Sequence, residues 1–589
     1  MIKVITQIWS LTRIAASGPG SLLTTMLLIF IIGLELMSIW ISLRFITWNA
    51  EFFGALEVYD THQALIQTSF YFTLTALSAL RFLVSDYLRK FVLIRWRTRL
   101  TEHAIAQWLT NQSYWYLREG LSPNSPENPD QRISEDCRLF VSGLLGQALD
   151  LFTRMVGIFS YVAVLWSLTN FALKFSLFGF DISISHYLVW FAFIYVLISS
   201  ILTHLLGWRL KNLRFNQQRC EAEFRYSLVQ LRNNASEVAI ARGETAEQNK
   251  FDLRFANIVQ NWRNLMNREF IIGLFQRPYY QTVLRIPLFL SLPAYLAKEV
   301  TFGGLMQLAS AFSRVATTLS WFIFSYKELA EFVATSQRLG ELLKRLEYPA
   351  HMPNVVTDIK REVIENHTLS INNLVLFTPL GKELINVKRL NILRGERVWL
   401  HGPSGCGKST LMRAISGLWP YGTGEISVAD SYLFFASQTP YLSCDGISAA
   451  LAYPKDVESF CPLDFSKVLE LVGLQNRISA MDKDGSGALE GLSSGEQQRF
   501  IFARILLAKP DWVFLDEPTT ALDKCAESAL FTLLRSTLPV ATIVCIAHHR
   551  PCGLEASRTI ALTSDQQHEL AKTSDERDVM EDQLSKGVT

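Results

Sequence analysis

The sequence predicts a membrane α-helical domain of six transmembrane helices, followed by an α/β domain that carries a phosphate-binding loop. Charged residues make up 19% of the 589 residues, below the roughly 25% usual for soluble domains. Long apolar stretches fill the chain up to about residue 335, and the remainder has the composition of a soluble α/β domain. That second part contains the segment GPSGCGKST. A chain of this length exceeds one hydrophobic core, so we expect at least two domains.

Six apolar stretches are long enough to cross a bilayer, which takes about 20 residues each. They lie at 21–43, 64–88, 139–170, 186–208, 270–294 and 302–328. The second, fifth and sixth give a weaker signal because they contain arginines. We expect the first stretch to be a retained span, because it is too long for a cleaved signal peptide and no small-residue cleavage site follows it.

Basic residues predict the orientation of the spans. The loops at 89–99 and 209–225 are rich in arginine and lysine, whereas the loops on the opposite side are mainly acidic. The positive-inside rule places the basic loops in the cytoplasm. Six crossings then return the chain to the cytoplasm, where ATP is. All eight cysteines fall on that reducing side, so we expect no disulfides.

The two basic loops are long and are predicted to extend the spans. RWRTRLTEHAIAQWLTNQSYWYL is amphipathic at helical spacing, so the second span should continue as a helix beyond the membrane. The run SPNSPENPDQRISED predicts a turn at Asn128-Pro129-Asp130, followed by a helix start rich in carboxylates. The second long loop lies at about 209–269.

Among the charged residues inside predicted spans, five are candidates for a functional role, namely Glu35, Arg154, Arg277, Arg285 and Arg314. Charges in lipid are costly, so such residues mark function by default. Two interpretations stay open. The side chains line a polar path for a substrate, or they snorkel and pair between helices.

Composition also predicts the domain boundaries. Residues 1–335 form the membrane domain, and the polar segment 336–364 with its two prolines is typical of a linker. Residues 365–563 form the α/β domain. The tail 564–589 has almost no large apolar residues and is predicted to be disordered. The formal net charge is +2, whereas a nucleic-acid binder should be markedly basic, so we expect no nucleic-acid partner.

The segment Gly402–Thr410 matches the phosphate-loop pattern in full. An apolar run, Arg397–His401, precedes it as a predicted strand, and LMRAISGLW follows it as a predicted helix. Glycines let backbone N–H groups point at phosphates, and the helix N-terminus adds a favourable dipole. Lys408 should reach the β- and γ-phosphates of a nucleotide, and Ser409 should bind Mg²⁺. The nine candidate nucleotide-binding residues are Gly402, Pro403, Ser404, Gly405, Cys406, Gly407, Lys408, Ser409 and Thr410.

Two carboxylates end a second predicted strand, Trp512-Val-Phe-Leu-Asp516-Glu517. An apolar parallel strand places Asp516 at its carboxyl edge, where it should lie beside the Mg²⁺. Glu517 follows directly and is predicted to polarise the water that attacks the γ-phosphate, which is the work of a general base.

The order of short motifs carries a resemblance to a known family. After the phosphate loop come Gln438, LSSGEQQ, VFLDE, Ala521-Leu-Asp523 and His548. This series resembles the ATPase domain of ATP-binding cassette (ABC) transporters, and LSSGEQQ is similar to the signature that separates that family from other phosphate-loop ATPases. The resemblance implies roles for residues matched to these motifs: Gln438 for Mg²⁺ and the attacking water, His548 for the γ-phosphate, and Ser493, Ser494, Gly495, Glu496 and Asp523 for nucleotide. His549 is adjacent to His548, and we favour His548.

The membrane half narrows the resemblance. The stretches RWRTRLTE, NPDQRISED, EVAIARGE and LSWFIFSYKELAE resemble the SbmA/BacA-like and YddA-like bacterial transporters. They also resemble the peroxisomal acyl-CoA transporters, in which GPxGCGKS and a following GLWP recur. The resemblance implies an exporter-type fold and places cytoplasmic elbows near 128–136 and 237–244. One departure is Ala241-Arg242, where an aromatic pair is usual.

One chain has one phosphate loop and one signature, so the resemblance implies a partner subunit, most simply an identical one. The implied function is ATP-driven movement of a solute across the cytoplasmic membrane, with lipid around the spans. In the groups that the chain resembles, several SbmA/BacA-like members import bulky hydrophilic solutes such as peptides or cobalamin, and peroxisomal members carry acyl-CoA. Three possibilities therefore stay open: import of a bulky hydrophilic solute, export or flipping of a lipid or acyl-CoA-like substrate, and a membrane-anchored ATPase sensor that moves nothing.

Overall fold

The computed structural model describes residues 2–118, 121, 129–170, 172–177, 180–347, 357–365, 368–438, 440–443, 445–480 and 492–562. Asn128, Cys444, part of the predicted linker and the predicted tail lie outside these residues. Contacts divide the chain into two compact units. A membrane unit comprises Met1–Thr110 and Pro126–Glu347, and an ATPase unit comprises Asn111–Ser125 and Tyr348–Thr589.

Long helices dominate the first part of the chain. They are α1 (Ile2–Ala16), α2 (Ser21–Glu57), α3 (Thr61–Leu109), α4 (Ser113–Tyr116), α5 (Pro129–Gln131), α6 (Cys137–Leu168), α7 (Tyr187–Gly207), α8 (Leu210–Asn233), α9 (Ala235–Ala241), α10 (Glu244–Leu296), α11 (Phe302–Leu319) and α12 (Trp321–Glu347). A π-helical turn joins α5 to α6, and an antiparallel hairpin of β1 (Ala172–Leu177) and β2 (Phe180–Ser185) follows α6.

Three helical segments among the described residues are long and apolar enough to cross a membrane: Ser21–Glu57, Pro129–Leu168 and Tyr187–Asn233. The other predicted spans lie within α3, within α10 and across α11 and α12. Those helices carry the arginines noted above, which lower their hydropathy. The predicted continuation of the second span as a helix is confirmed, because α3 is 49 residues long.

The core of the membrane unit surrounds α11. Phe312 and Val315 are fully buried and pack in one cluster with residues of α2, α6, α7 and α10. The predicted sixth span is interrupted after Leu319, where α11 ends and α12 begins. At this break the Ser320 hydroxyl lies 2.7 Å from the Tyr279 hydroxyl and donates to the Ala316 carbonyl.

Some elements of this unit are not foreseen from the sequence. The amphipathic helix α1 and the hairpin β1–β2 are too short to compete with the span signals around them. The second predicted elbow is a compact turn, in which Arg242 adopts a left-handed conformation between α9 and α10. At the domain junction, α12 runs to Glu347 and β3 begins at Thr357, so regular structure occupies both ends of the segment predicted as a linker.

The ATPase unit contains two sheets. Its elements are β3 (Thr357–Ile364), β4 (Thr368–Phe377), β5 (Glu383–Leu393), β6 (Arg397–His401), α13 (Lys408–Ile415), β7 (Gly422–Ala429), β8 (Leu433–Ala436), α14 (Ile447–Ala452), α15 (Pro462–Leu471), α16 (Ser494–Ala508), β9 (Trp512–Asp516), α17 (Lys524–Thr537), β10 (Thr542–Ile546) and β11 (Arg558–Ala561). Five parallel strands form one sheet in the order β11-β6-β10-β9-β8, and the other sheet has the order β3-β7-β4-β5.

The parallel sheet is buried on both faces. One cluster joins it to the second sheet and to α13, around Tyr421 and Phe514, and another joins its opposite face to α16 and α17, around Phe502 and Phe531. Every residue of β10 is buried, as expected for a central parallel strand. In such sheets ligands bind beyond the carboxyl ends of the strands, and the predicted phosphate loop and carboxylates follow β6 and β9.

Candidate functional site

The phosphate loop is a tight turn that glycines make possible. It joins β6, which has the predicted bounds, to α13, which covers Lys408–Ile415 whereas the predicted helix covers 411–419. Gly405 and Gly407 have φ angles of 79° and 95°, which L side chains rarely adopt. At Gly402 an added Cβ would lie 2.3 Å from the Leu562 carbonyl oxygen. The loop therefore requires glycine at these three positions.

Lys408 is the charged centre of the loop. Its side chain is buried, and its Nζ donates to the carbonyl oxygens of Gly402 and Pro403, both at 2.8 Å. The loop thus holds an ammonium group beside the N-terminus of α13. Both features favour a bound phosphate, because the helix end supplies N–H donors and the lysine supplies a positive charge.

Asp516 lies at the carboxyl end of β9, as predicted, and the Ser409 side chain hydrogen bonds to its carboxylate. Burial raises the pKa of Asp516, and the hydrogen bond from Ser409 opposes that shift. The sequence separates these two residues widely. The structure brings them together because β9 and β6 are both neighbours of β10 in the parallel sheet.

Glu517 forms a cluster with two other predicted residues. His548 Nε2 lies 2.9 Å from its Oε1, and Gln438 Nε2 donates to its Oε2 at 3.1 Å. We call these three residues the Glu517 cluster. It brings together the candidate base, the candidate Q-loop glutamine and the candidate switch histidine. Between the two adjacent histidines, the Glu517 contact is made by His548.

The backbone at Glu517 supports the position of its side chain. Its φ is 47°, in the left-handed region that is uncommon for residues other than glycine. Its N–H donates to the Ile546 carbonyl at 2.9 Å, which fixes the residue after β9 to the end of β10. Local strain of this kind clusters at functional sites.

The predicted signature begins α16 with a complete capping box. The Ser493 side chain accepts from the Glu496 N–H at 3.2 Å, and Glu496 Oε2 accepts from the Ser493 N–H at 2.9 Å. The Ser493 N–H, together with Arg477, holds the pKa of Glu496 below its ordinary value. Ser493 and Ser494 are exposed. The structure thus places Glu496 in the cap and the helix N-terminus at the surface.

Gln498 is a residue whose role sequence reasoning missed. It is buried, donates to the Thr520 hydroxyl at 2.8 Å and accepts from the Ala521 N–H at 2.9 Å. Its side chain therefore ties the signature helix to the segment 521–523, where Asp523 caps α17 by accepting from the Ala526 N–H. A glutamine on the buried face of α16 could have indicated this role, because a buried side-chain amide needs hydrogen-bond partners.

A second missed feature lies in the segment 113–121, of which residues 113–118 and 121 are described and pack within the ATPase unit. Trp115 Nε1 donates to the Leu418 carbonyl and the Tyr116 hydroxyl to the Gly417 carbonyl, both at 2.8 Å. The Tyr421 hydroxyl donates to the Leu121 carbonyl. The sequence predicts this stretch as a continuation of α3, but α3 ends at Leu109 and Gln112 has a φ of 56°. The elbow implied near 128–136 stays a prediction.

The residues present fit a magnesium ion. Within the described part of the chain, no group of three or more His, Cys, Asp or Glu side chains could hold a metal by itself. The hydroxyl of Ser409 and the carboxylate of Asp516 are oxygen donors, and Gln438 adds an amide beside Glu517. Mg²⁺ suits such a site, because it keeps several waters and takes one or two carboxylates together with phosphate oxygens.

The fold and this site define the class of protein. A phosphate loop, a carboxylate pair at the end of a parallel strand and a capped signature helix form an ATPase domain. A unit of long apolar helices precedes it in the same chain. The protein is therefore an integral membrane protein with a C-terminal ATPase domain.

Comparison with known proteins identifies the family. The model of ABC transporter transmembrane region 2 matches residues 11–296, and the ABC transporter model matches residues 385–520. The chain is 31% identical over 533 residues to the Escherichia coli (strain K12) inner membrane ABC transporter ATP-binding protein YddA, with 90% of this chain and 91% of the relative covered. The chain belongs to the ABC transporter family, whose members couple ATP hydrolysis to transport.

Two further comparisons confirm the predicted group and fold. The human lysosomal cobalamin transporter ABCD4 is 25% identical over 509 residues, with 78% of this chain and 80% of the relative covered. The structure of a bacterial Atm1-family ABC exporter with ATP bound matches with a TM-score of 0.73 at 18% identity, covering 96% of this chain and 98% of that one. The exporter-type fold is thus confirmed.

Proposed function

We propose that two copies of this chain form an ATP-driven transporter of the inner membrane that moves a bulky hydrophilic solute. The observation that carries the proposal is the Glu517 cluster, assembled beside the phosphate loop in a chain that also contains the membrane unit. ATP hydrolysis needs a carboxylate that activates water and side chains that hold it in place.

Each site residue has a role in this proposal. Lys408 turns from the loop carbonyls to the β- and γ-phosphates, and Glu517 accepts a proton from the attacking water. Gln438 and His548 hold the Glu517 carboxylate, and His548 contacts the γ-phosphate. Ser409, Gln438 and Asp516 are the candidate ligands of Mg²⁺, which neutralises phosphate charge when it is bound.

Changing Asp516 to asparagine is expected to raise the Mg²⁺ concentration that gives half-maximal ATPase activity by about tenfold or more, because a charged ligand is replaced by a neutral one. The measurement is a Mg²⁺ titration of the protein in nanodiscs. Asp456→Asn, at an exposed position of the same unit, is the matched control. An unchanged titration in the Asp516 variant would remove this residue from the metal site.

An identical partner completes each nucleotide site in this proposal. ABC half-transporters act as dimers. In this chain the signature residues Ser493 and Ser494 are exposed. Among the described residues, no hydrogen bond joins them to the phosphate loop. The N-terminus of α16 is therefore free to meet the γ-phosphate of nucleotide held by a second subunit.

An apolar groove gives a second reason to propose a partner. It lies between α8 and α10, has a volume of about 670 Å³, and is lined mainly by Phe224, Phe255, Ile258, Val259, Trp262 and Met266. Three of these side chains are about half exposed: Phe255 53%, Trp262 46% and Met266 56%. The groove lies in the second long loop, which is predicted to be cytoplasmic, so lipid would not cover it. A second copy of the chain is the occupant we propose.

The segment 113–121 is proposed to transmit closure of the ATPase units to the spans. Contacts assign Asn111–Ser125 to the ATPase unit, although in the sequence this segment lies between two parts of the membrane unit. The Trp115 ring is held by its hydrogen bond and by Arg118 and Arg413, whose guanidinium carbons lie 5.6 and 5.7 Å from its centre. Leu121 belongs to the core of the ATPase unit.

Trp115→Ala is expected to lower the amount of solute moved per ATP hydrolysed and to destabilise the ATPase unit by up to about 3 kcal/mol. Both effects follow from loss of the ring and its hydrogen bond. Hydrolysis and transport are measured on the same proteoliposomes, and unfolding is followed by calorimetry. Tyr114→Ala is the control, since that neighbouring aromatic is 49% exposed. Equal transport per ATP in Trp115→Ala and wild type would contradict the coupling role.

The proposed substrate and the proposed direction of transport are inferred from relatives. A human relative is named a lysosomal cobalamin transporter. The bacterial group that the sequence resembles includes importers of peptides. We therefore propose a peptide or a cobalamin-like compound as substrate, moved towards the cytoplasm.

Reconstitution tests this proposal. Proteoliposomes with outward-facing ATPase units are preloaded with cyanocobalamin, a cationic peptide or a fluorescent acyl-CoA, and ATP is added outside. ATP-dependent release of a hydrophilic solute is the expected result, with Glu517→Gln protein as the inactive control. ATP-dependent uptake of the same solutes, supplied outside to empty proteoliposomes, would instead indicate export, and movement of the acyl-CoA alone would indicate a lipid-like substrate. ATP hydrolysis without movement of any solute would favour the sensor.

A further inference from the structure

The membrane unit contains a small cavity whose lining is entirely polar. Its volume is about 210 Å³, and it lies between α2, α6 and α11. Among the described residues, four lining side chains are ionisable with formal charge, namely Glu35, Asp150, Arg154 and Arg314, and the other six are Ser, Thr or Tyr. Polar groups inside membrane helices are costly and mark function by default. This cavity is therefore the strongest candidate for a ligand site outside the nucleotide site.

The Glu35 carboxylate is already satisfied by its neighbours. It is 8% exposed and accepts from the Ser85 hydroxyl and from Arg89, both at 2.9 Å. Arg81 lies 3.4 Å away on the other carboxylate oxygen. Two guanidinium groups thus surround one carboxylate, which leaves it no free charge for a cationic ligand.

In and around the cavity, the positively charged side chains outnumber the carboxylates. Arg89 also lies 3.8 Å from Asp150. Within the described part of the chain, neither Arg154 nor Arg314 is within 4 Å of a carboxylate oxygen. Counted with Glu328, which acts electrostatically on Asp150 from outside the lining, three carboxylates stand against four guanidinium groups in and around the cavity, so one positive charge is uncompensated. The nearby Glu328 is outside the lining and exposed, and it accepts from Gln147.

An uncompensated guanidinium group inside the membrane unit favours the binding of an anion. Its planar fork of donors matches the two oxygens of a carboxylate or a phosphate. Hydroxyl groups around it add further donors. The volume of about 210 Å³ is below the roughly 300 Å³ at which pockets for whole small molecules begin. The cavity therefore has room for a charged group and not for an entire bulky solute.

We propose that this cavity binds an anionic group, a carboxylate or a phosphate, through Arg154 and Arg314. This inference rests on the proposed function, because the group would belong to the solute that the transporter moves. It narrows the substrate class to solutes that carry at least one such group. The alternative for the same cavity is a site that binds a cationic solute through Asp150.

Direct binding of charged probes tests the site. The full-length protein is placed in nanodiscs of phosphatidylcholine alone, and calorimetry measures binding of three probes with the same chain: octyl phosphate, octyl glucoside and octyltrimethylammonium. We expect octyl phosphate to bind most tightly. Arg154→Gln and Arg314→Gln should each weaken its binding by roughly tenfold, since each loses a charge-assisted hydrogen bond. Arg154→Lys should recover part of the affinity.

The controls separate a binding site from a structural charge network. Arg285→Gln removes an exposed intramembrane arginine that is not in the lining, and its binding should match wild type. Equal binding of the three probes would overturn the proposal, as would unchanged octyl phosphate binding in both glutamine variants. Preference for octyltrimethylammonium, lost in Asp150→Asn, would also overturn it.

A second arm identifies the source of the anion. The measurement is repeated in nanodiscs that contain phosphatidylglycerol. Weaker apparent binding of octyl phosphate there would indicate a lipid head group as occupant, and unchanged binding a soluble anion; both results support an anion site. Failure of this site is distinguishable from failure of the proposed function. If octyl phosphate binds through the arginines but no solute moves with ATP, the anion site is supported and the transport function is contradicted. If a solute moves with ATP but octyl phosphate does not bind, transport is supported and the anion site is contradicted.

Discussion

Glu517→Gln should lower ATP hydrolysis by about 100-fold or more while leaving ATP binding intact. A positioned general base contributes typically about 10² to 10⁴ in rate. Glutamine keeps the shape of the side chain and its contact with Gln438, but it cannot take a proton from water. The Glu517 carboxylate is held on both oxygens, by His548 at 2.9 Å and by Gln438 at 3.1 Å. The variant therefore removes the base and little else.

Steady-state hydrolysis and nucleotide binding are measured on the same protein in nanodiscs. Glu458→Gln makes the same chemical change at an exposed site of the ATPase unit and should hydrolyse ATP at the wild-type rate. Turnover of Glu517→Gln at more than about a tenth of the wild-type rate would exclude this carboxylate as the base. Loss of nucleotide binding in that variant would instead show that Glu517 shapes the site.

Much of the nucleotide site could be predicted from the sequence because its signals are local. The phosphate loop needs glycines at fixed positions, and β6 and β9 are short apolar runs bounded by charged or turn residues. β6 has the predicted bounds, and β9 ends at Asp516, one residue before the predicted end at Glu517. The capping box at Ser493 and Glu496 is likewise encoded within four residues. Such features depend on near neighbours in the chain, so a pattern in one sequence is enough to place them.

The features that the sequence did not reveal depend on distant partners. Trp115 donates to a carbonyl 303 positions away in the chain, and nothing in the composition of SYWYL distinguishes docking on the ATPase unit from a continued amphipathic helix. The cavity shows the same limit. Glu35, Arg154 and Arg314 were each recognisable as intramembrane charges, but their shared pocket arises only when α2, α6 and α11 pack together.

The break at Ser320 illustrates a third limit. The apolar stretch 302–328 predicts one span, but a hydroxyl pair between Ser320 and Tyr279 accompanies an interruption of the helix. A serine in an apolar run is compatible with a continuous helix, because its hydroxyl can bond to a carbonyl one turn back. The contact with Tyr279 of α10 is a tertiary feature that the sequence pattern does not show.

The second large effect concerns how each nucleotide site is assembled. We propose that the phosphate loop of one subunit and the signature of its partner share one ATP. Lys408→Ala removes the charge from the loop, and Ser494→Arg places a bulky cation at the exposed N-terminus of α16. Either change should abolish ATP hydrolysis at the nucleotide site to which the changed residue contributes. Loss of one preorganised group typically lowers the rate by about 10² to 10³.

Two copies of the chain joined in tandem allow each change to be placed in a chosen copy. If sites are shared between subunits, both changes in the same copy disable both sites. The same two changes in different copies fall in one shared site and leave the other intact.

The most direct test of the account is the ATPase rate of these two tandem proteins in nanodiscs, beside an unmodified tandem protein as control. Shared sites predict residual hydrolysis when the changes are in different copies, and only background hydrolysis when they are in the same copy. The reverse order would show that each chain builds its site alone, and the account of two subunits closing on ATP would be wrong.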